Sequence, residues 1–162
     1  MATMQKIVPN LWFDTEAEDA AVFYTSIFEN SRVMDVARYG EAGPRPAGMV
    51  MTVTFELEGQ TFTALNGGPE FTFTEAISLL VNCESQDEVD RLWKQLSDGG
   101  EPGPCGWLKD RFGLSWQIIP TALERMLRDE DRERADRVMA AMLKMSKIEV
   151  AELERAYAGD AA

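Results

Sequence analysis

The chain has 162 residues, a formal net charge of −12 and a pI near 4.4. Its basic residues are interleaved with acidic ones, so the sequence provides no basic surface for nucleic acid. It contains no histidine, which excludes Ser-His-Asp and Cys-His catalysis and the imidazole ligands of most zinc and iron sites.

Compartment and redox state follow from two further features. The N-terminal residues lack the apolar run of a signal peptide, and no window approaches the ~20 apolar residues of a membrane span. The two cysteines, Cys83 and Cys105, do not form a disulfide framework. The sequence therefore predicts a soluble cytoplasmic protein with reduced thiols.

The chain begins with a predicted strand and helix. The strand covers Ile7 to Phe13, an apolar run that stops at Asp14. Thr15-x-x-Glu18 has the spacing of a capping box, which predicts that a helix begins there. Ala20, Phe23 and Ile27 follow at helical spacing and predict its buried face.

Three strands are predicted next. SRVMDVARYG has the composition of a strand, and EAGPRPAG after it is typical of a loop. MVMTVTFEL and QTFTALN flank Glu58-Gly59, which predicts a hairpin.

The same order of elements then recurs. Ile77 to Cys83 predicts a strand, and Ser85-x-x-Glu88 is a second capping box whose positions lie 70 residues after those of the first. An amphipathic helix follows and closes at Gly99-Gly100, and a hairpin that turns at Arg111-Phe112-Gly113 ends in LSWQII. The repeated unit is strand, helix, then strands ending in a hairpin.

The remaining residues predict a helical tail. Thr121-x-x-Glu124 and Ser146-x-x-Glu149 have the spacing of capping boxes at the starts of helices. An apolar stripe runs through the tail, and its methionines suit an irregular packing surface. We interpret the stripe as packing, with a contact between two subunits as one form of it; it includes Val138, Met139, Met142 and Leu143.

Four pieces of the sequence together resemble the vicinal oxygen chelate (glyoxalase/bleomycin-resistance) superfamily, and most closely its PhnB-like branch. They are IVPNLWFDTEAEDAAVFY, ISLLVNCESQDEVDRLWKQLSDGG, CGWLKDRFGLSWQI and AAMLKMSKIEVAELERA. The resemblance implies an α+β fold in which two tandem βαβββ modules form an open cup-shaped mixed sheet. The expected divisions are a domain over 1–120, with modules at about 5–68 and 71–120, and a C-terminal helical tail over 121–162.

The resemblance also indicates where metal-dependent relatives carry their His or Glu ligands, on the first and last strand of each module. These positions fall at or next to Pro9-Asn10, near Thr63 or Leu65, among Ile77 to Leu79, and at Gln117. A neutral amide supplies no charge to offset the lost hydration of a divalent ion, so we expect no metal site and no cofactor.

Members of the branch are often labelled 3-demethylubiquinone-9 3-methyltransferase domains. The sequence has no G-x-G-x-x-G motif. Gly67-Gly68 precedes Pro69 and a further predicted strand, and Gly99-Gly100 ends a helix instead of starting one. The residues therefore do not support a methyl-donor site.

A cup lined by aromatic and amide side chains can hold a small organic molecule. Gln117 shares a strand face with Ser115 and Ile119, whereas Trp116 points to the other face. Several candidates have plainer interpretations: the tryptophans as core, Asn66 as a turn residue, Arg111 as part of a solvated hairpin tip, and Cys105 as incidental. The candidate ligand-binding residues are Asn10, Trp12, Asn66, Trp107, Arg111, Trp116 and Gln117.

The sequence therefore predicts a metal-free protein that binds a small aromatic or anionic ligand, with Arg111 as a possible clamp for an anion, and that forms a homodimer. Two alternatives remain open. One is an enzyme of the same fold with methyltransferase or glyoxalase-like activity, and the other is an oligomeric interaction domain without a ligand.

Overall fold

The structure is a computed structural model that describes residues 4–160. The chain forms two compact units, with the boundary between Phe73 and Thr74.

The first unit contains one helix and four strands. They are β1 (Asn10–Phe13), α1 (Ala17–Ile27), β2 (Arg32–Arg38), β3 (Val50–Leu57) and β4 (Gln60–Asn66). The second unit repeats this order and adds three helices. Its elements are β5 (Ser78–Cys83), α2 (Gln86–Ser97), β6 (Glu101–Pro102), β7 (Trp107–Lys109), β8 (Ser115–Pro120), α3 (Thr121–Leu127), α4 (Arg132–Met142) and α5 (Val150–Ala158).

Each unit has a four-stranded mixed sheet, and the two sheets have equivalent topology. The strand order is β1-β4-β3-β2 in one and β5-β8-β7-β6 in the other. In each sheet the first strand pairs parallel to the last strand of its module, and the other pairs are antiparallel. The predicted α+β class, with two βαβββ modules followed by helices, is confirmed.

One face of each sheet is buried against the helix of its own module. In the first sheet, Val53, Phe55 and Ala64 are fully buried under α1, which turns Ala20 and Tyr24 toward them. In the second sheet, Leu108, Trp116 and Ile118 are buried under α2, with Leu92 and Leu96. Because side chains alternate along a strand, the residues between these positions lie on the other, open face.

The strand and helix starts differ from the predicted ones in several places. β1 begins at Asn10, because Ile7 is 84% exposed and does not join the sheet. The capping box at Ser85 is confirmed, since the Ser85 hydroxyl accepts the amide N–H of Glu88 at 3.2 Å. The box at Thr15 is wrong, because α1 begins at Ala17 and the Asn66 side chain accepts the first free N–H.

The two boxes in the tail are also wrong. Pro120 is the N-cap of α3, so Thr121 already lies within that helix. α5 begins at Val150, and the Ser146 hydroxyl donates instead to the carbonyl oxygen of Gly103 at 2.6 Å. The motif [ST]-x-x-[DE] marks a helix start only where the backbone before it is free to take the capping conformation.

Helices α3, α4 and α5 surround a small apolar core of their own. Its buried members are Leu123, Met126, Val138, Met145, Ile148 and Leu153. The predicted apolar stripe therefore divides: Val138 is buried within the tail, whereas Met139 is 40% and Leu143 is 62% exposed. No helix in residues 4–160 is long and apolar enough to cross a membrane.

Candidate ligand-binding site

The open face of the second sheet carries two rows of side chains across its strands. In the first row Glu101, Lys109, Ser115 and Ser78 are successive neighbours on β6, β7, β8 and β5. In the second row Trp107, Gln117 and Leu80 are neighbours on β7, β8 and β5. Residues paired in register point to the same face of a sheet, so each row is one continuous surface.

A pocket of about 520 Å³ lies at the β6–β7 side of this face. Its apolar wall comes from the short loop between β6 and β7 and from the aromatic residue that follows it. Pro102, Pro104, Cys105 and Trp107 form this wall. The volume suits a small organic molecule, because ligand pockets in proteins typically measure about 300–1,000 Å³.

Ser115 lines the pocket and has an unsatisfied hydroxyl group. The residue is 1% exposed, and its Oγ has no hydrogen-bond partner within residues 4–160. A buried hydroxyl left without a partner costs about 1–3 kcal/mol. A ligand in the pocket could supply that partner, since a hydroxyl both donates and accepts.

The pocket also carries three charged side chains. The Lys109 Nζ lies 2.5 Å from the Glu75 Oε1. The hydrogen bond from Lys109 lowers the pKa of Glu75, and the same bond, with a further contribution from Glu101, raises the pKa of Lys109. Both groups are therefore charged at neutral pH, and they neutralise each other.

Gln117 lies beside Trp107 on the open face and does not line the pocket itself. Its Nε2 donates to the Ser78 hydroxyl at 2.9 Å, which fixes the amide's orientation. Neither the Gln117 Oε1 nor the Trp107 indole N–H has a protein partner among the described residues. The face thus presents one acceptor and one donor next to the pocket.

Two other candidates, Asn10 and Trp12, lie on the open face of the first sheet. Asn10 is exposed and neighbours Thr63 across the β1–β4 pair. Trp12 is half-buried, donates its indole N–H to the Gly68 carbonyl at 2.9 Å, and meets the Phe71 ring edge-on with centroids 4.9 Å apart. A Cβ at Gly67 would come within 2.4 Å of the Trp12 ring, so that position requires glycine.

The structure places the remaining three candidates away from both open faces. Asn66 is buried and uses both amide atoms within the fold: Oδ1 accepts from the Ala17 N–H at 2.8 Å, and Nδ2 donates to the Val50 carbonyl at 3.0 Å. Trp116 lies on the core side of β8, as alternation with Gln117 predicts. 

Arg111, the proposed clamp for an anion, lies in the turn between β7 and β8. Its guanidinium contacts Asp98, the residue that follows the C-terminal end of α2. Its Nη2 lies 3.0 Å from the Asp98 Oδ2, and its Nε donates to the Asp98 carbonyl at 3.3 Å. Arg111 and Lys109 are two residues apart on a chain that turns sharply at Gly113, and only Lys109 lines the pocket.

Sequence reasoning missed most of the pocket. The sequence pattern could have identified Ser115 as a site residue, because it shares a strand face with Gln117 and is a polar residue at the start of a buried strand. Glu75 and Glu101 had no such pattern, because their place beside Lys109 depends on strand pairing between distant segments.

The positions where metal-dependent relatives carry ligands hold neutral donors in this chain. Asn10 neighbours Thr63, and Ser78 is hydrogen-bonded to Gln117. Amides and hydroxyls without a carboxylate do not fit a divalent ion, which needs charge to replace its hydration. Within residues 4–160, no three His, Cys, Asp or Glu side chains are grouped so that they could hold a metal ion.

The two cysteines have different environments. Cys83 is fully buried on the core side of β5, and burial raises its pKa to about 12, so its thiol is not reactive. Cys105 is half-buried at the pocket, where its N–H donates to the Met145 carbonyl at 2.8 Å.

The chain is similar to known proteins in both sequence and structure. Residues 5–119 match the model of a family described as 3-demethylubiquinone-9 3-methyltransferase. The chain belongs to this family. A PhnB protein from Bacillus cereus is 38% identical, with 72% of this chain and 100% of that chain covered and a TM-score of 0.65. No protein with curated annotation matches the sequence.

More distant structures show the fold alone. A protein from Pseudomonas aeruginosa is 22% identical, with 72% of this chain and 98% of that chain covered and a TM-score of 0.60. A genomically encoded fosfomycin resistance protein from Listeria monocytogenes is 15% identical, with 76% and 98% covered and a TM-score of 0.51. The resemblance to the PhnB-like branch is confirmed, and the fosfomycin resistance protein shares the fold. The family match ends at residue 119, so the tail lies beyond it.

Proposed function

We propose that this PhnB-like protein binds a small organic molecule, without a metal ion, in the pocket beside β7. The observation that carries the proposal is the Ser115 hydroxyl, which is buried, lacks a partner in the described residues, and lines a pocket of about 520 Å³. Buried polar atoms in native proteins are almost always hydrogen-bonded. A ligand that supplies the missing hydrogen bond would offset the cost of burying this hydroxyl.

Trp107 supplies the contact area of the proposed site. Its indole forms the pocket's aromatic wall, and the prolines at 102 and 104 extend that apolar surface. An aromatic ring on a ligand would gain both buried area and stacking there. Gln117 remains a candidate for contact with a larger ligand of this pocket, and Asn10 and Trp12 remain candidates for a separate contact on the first sheet.

The family description names a methyl transfer, which we keep as the alternative. Binding is favoured here because Gly67-Gly68 follows β4 and residues 67–77 contain no helix whose N-terminus could receive the donor. The neutral donors at the metal-ligand positions likewise favour binding over glyoxalase-like chemistry.

The predicted homodimer belongs to the same proposal. Met139 and Leu143 give α4 an exposed apolar patch, and such a patch is typical of a contact between subunits. We propose that the tail provides this contact.

The test uses 2-phenylethanol and 2-phenylethylammonium as probes in isothermal titration calorimetry. We expect at least one to bind with a millimolar or tighter Kd, and Trp107→Leu to weaken binding about tenfold. Trp93→Leu is the matched control, because Trp93 is also half-buried but lies on α2. Absence of binding, or equal loss in both variants, would overturn the proposed site. Stoichiometric metal in protein purified without chelator would overturn the metal-free part.

A further inference from the structure

The pocket's charges are not balanced. Three ionisable side chains line it: Glu75, Glu101 and Lys109. Lys109 forms its ion pair with Glu75 at 2.5 Å. Glu101, its neighbour across the β6–β7 pair, attracts Lys109 only over a longer distance and has no Lys or Arg of residues 4–160 within ion-pair distance. The pocket therefore carries one carboxylate charge in excess.

The polar and aromatic groups beside that carboxylate suit a cation. The Trp107 ring faces the pocket, and an ammonium group over an aromatic ring is stabilised by the negative face of the ring. The Ser115 Oγ can exchange a hydrogen bond with a second polar group of the ligand. Glu101 and Ser115 flank Lys109 in one row, so both oxygens lie on the same face of the sheet.

The positive charges that could favour an anion are already engaged. Lys109 is paired with Glu75 inside the pocket, and Arg111 is paired with Asp98 at the end of α2. The chain as a whole carries a net charge of −12, which attracts cations and repels anions over longer distances.

We infer that the pocket selects an organic cation: an ammonium group attached to an aromatic or other apolar body. The apolar body packs on Trp107 and the two prolines, and the ammonium pairs with the Glu101 carboxylate, which lies on the other side of Lys109 from Ser115. This inference rests on the proposed function, because it names the ligand class of the same pocket. It keeps the aromatic body that the sequence predicts and favours a cationic group over the predicted anionic one.

The experiment compares three probes with a shared phenyl body: 2-phenylethylammonium, 2-phenylethanol and 3-phenylpropionate. Calorimetry at low salt gives a Kd for each. We expect the cation to bind about five- to tenfold more tightly than the alcohol, because a hydrogen bond to a charged group is stronger than one between neutral groups, although solvent screening at the exposed Glu101 reduces the gain. The anion should bind more weakly than the alcohol.

Two variants assign the effect to the pocket. Glu101→Gln should weaken the cation about fivefold and leave the alcohol unchanged. Lys109→Met should strengthen the cation, because it frees the Glu75 carboxylate. Glu152→Gln, an exposed change on α5, is the matched control for the loss of one negative charge and should change neither Kd.

The outcomes separate the two claims. If none of the three probes binds, the proposed function itself fails. If the alcohol or the anion binds as tightly as the cation, or if Glu101→Gln and Glu152→Gln have equal effects, the pocket binds a ligand but does not select a cation. If Lys109→Met weakens the cation, the charge argument is likewise wrong.

Discussion

Asp110 shows how one buried carboxylate organises the strand that carries the candidate site. The residue is 2% exposed. Its Oδ1 accepts the backbone N–H groups of Phe112 at 2.8 Å and Leu114 at 3.1 Å, and its Oδ2 accepts the indole N–H of Trp116 at 2.9 Å. These bonds hold the β7–β8 turn and fix Trp116 on the core side, which leaves Ser115 and Gln117 on the open face.

Asp110→Asn is expected to destabilise the protein by about 2–4 kcal/mol. An amide offers only one acceptor oxygen, so either orientation places its NH₂ group against an N–H donor. The measurement is the free energy of unfolding from urea titration. Asp98→Asn removes an exposed carboxylate, whose side chain is 76% accessible, and is the control. A loss no larger than that of the control would show that Asp110 does not organise the turn.

The sequence predicts the direction of Trp116 and Gln117 but not the burial of Asp110. Alternation along β8 is a local property, and it places Gln117 and Ser115 on one face. The charged run Lys109-Asp110-Arg111, by contrast, contains one residue in the pocket, one in the core and one against α2. That division depends on the turn and on strand pairing, neither of which leaves a periodic signal.

At the scale of elements, two helices begin on side chains that lie far away in the sequence. Asn66 accepts the first free N–H of α1, and Gln86 accepts the N–H of Val150 at 2.7 Å at the start of α5. Capping boxes are local patterns, so they identify Ser85 correctly and cannot identify caps supplied by other elements. The strands and helices arise from local sequence patterns, so their order is predictable from the sequence. The residues at which α1 and α5 begin depend on distant side chains, so these starts are not predictable.

The tail is attached to α2 by an ion pair and by Gln86. The Lys147 Nζ lies 2.6 Å from the Asp90 Oδ1, and the Gln86 Nε2 donates to the Ile148 carbonyl at 3.0 Å. The hydrogen bond from Lys147 lowers the pKa of Asp90 below its ordinary 3.8, and the bond to Asp90 raises the pKa of Lys147 above 10.5. The pair is therefore fully charged between these values.

Lys147→Met should lower stability while Asp90 is ionised, and it also removes a second ion pair, from Lys147 Nζ to the Glu149 Oε1 at 3.3 Å. Because the folded pKa of Asp90 is depressed, its contribution is present above about pH 4 and is lost as the pH falls through the lower folded value. Both side chains are partly exposed, so the expected loss at pH 7 is at most about 1 kcal/mol. Urea unfolding at pH 7 and at several steps below pH 4 measures it, and Lys144→Met, an exposed change nearby, is the control. A loss that does not shrink at any of these steps would assign the effect to packing.

For the whole molecule, the 70-residue offset between repeated patterns predicts two equivalent sheets, and both have the same strand order. A duplicated module repeats its local patterns, so the repeat is visible in one sequence. The pocket depends on a feature outside the repeated pattern: the tail holds the loop between β6 and β7 through bonds from the N–H groups of Cys105 and Gly106 to the carbonyl oxygens of Met145 and Ser146. Gly106 adopts φ 83 there, and a Cβ would approach the Ile148 side chain to 3.0 Å.

The tail also carries the prediction of a homodimer. Met139 and Leu143 lie one helical turn apart and are 40% and 62% exposed, although the other large apolar residues of α3–α5 pack around their own core. Covering such side chains gains about 25 cal/mol for each Å² of apolar surface removed from water, and two-fold contact would cover both copies at once.

Leu143→Glu should convert the dimer to a monomer, because association would bury a charge without a partner. Sedimentation velocity at micromolar concentrations measures the change. An equal urea unfolding midpoint for the variant and the wild type, both diluted until they are monomeric, would show that the fold of the variant is intact. Val22→Glu, which changes an equally exposed residue on α1, is the matched control and should leave the dimer unchanged. A wild-type chain that remains monomeric at 100 times that concentration would refute the homodimer. A dimer that survives Leu143→Glu and dissociates with Val22→Glu would place the contact on the first unit instead of the tail.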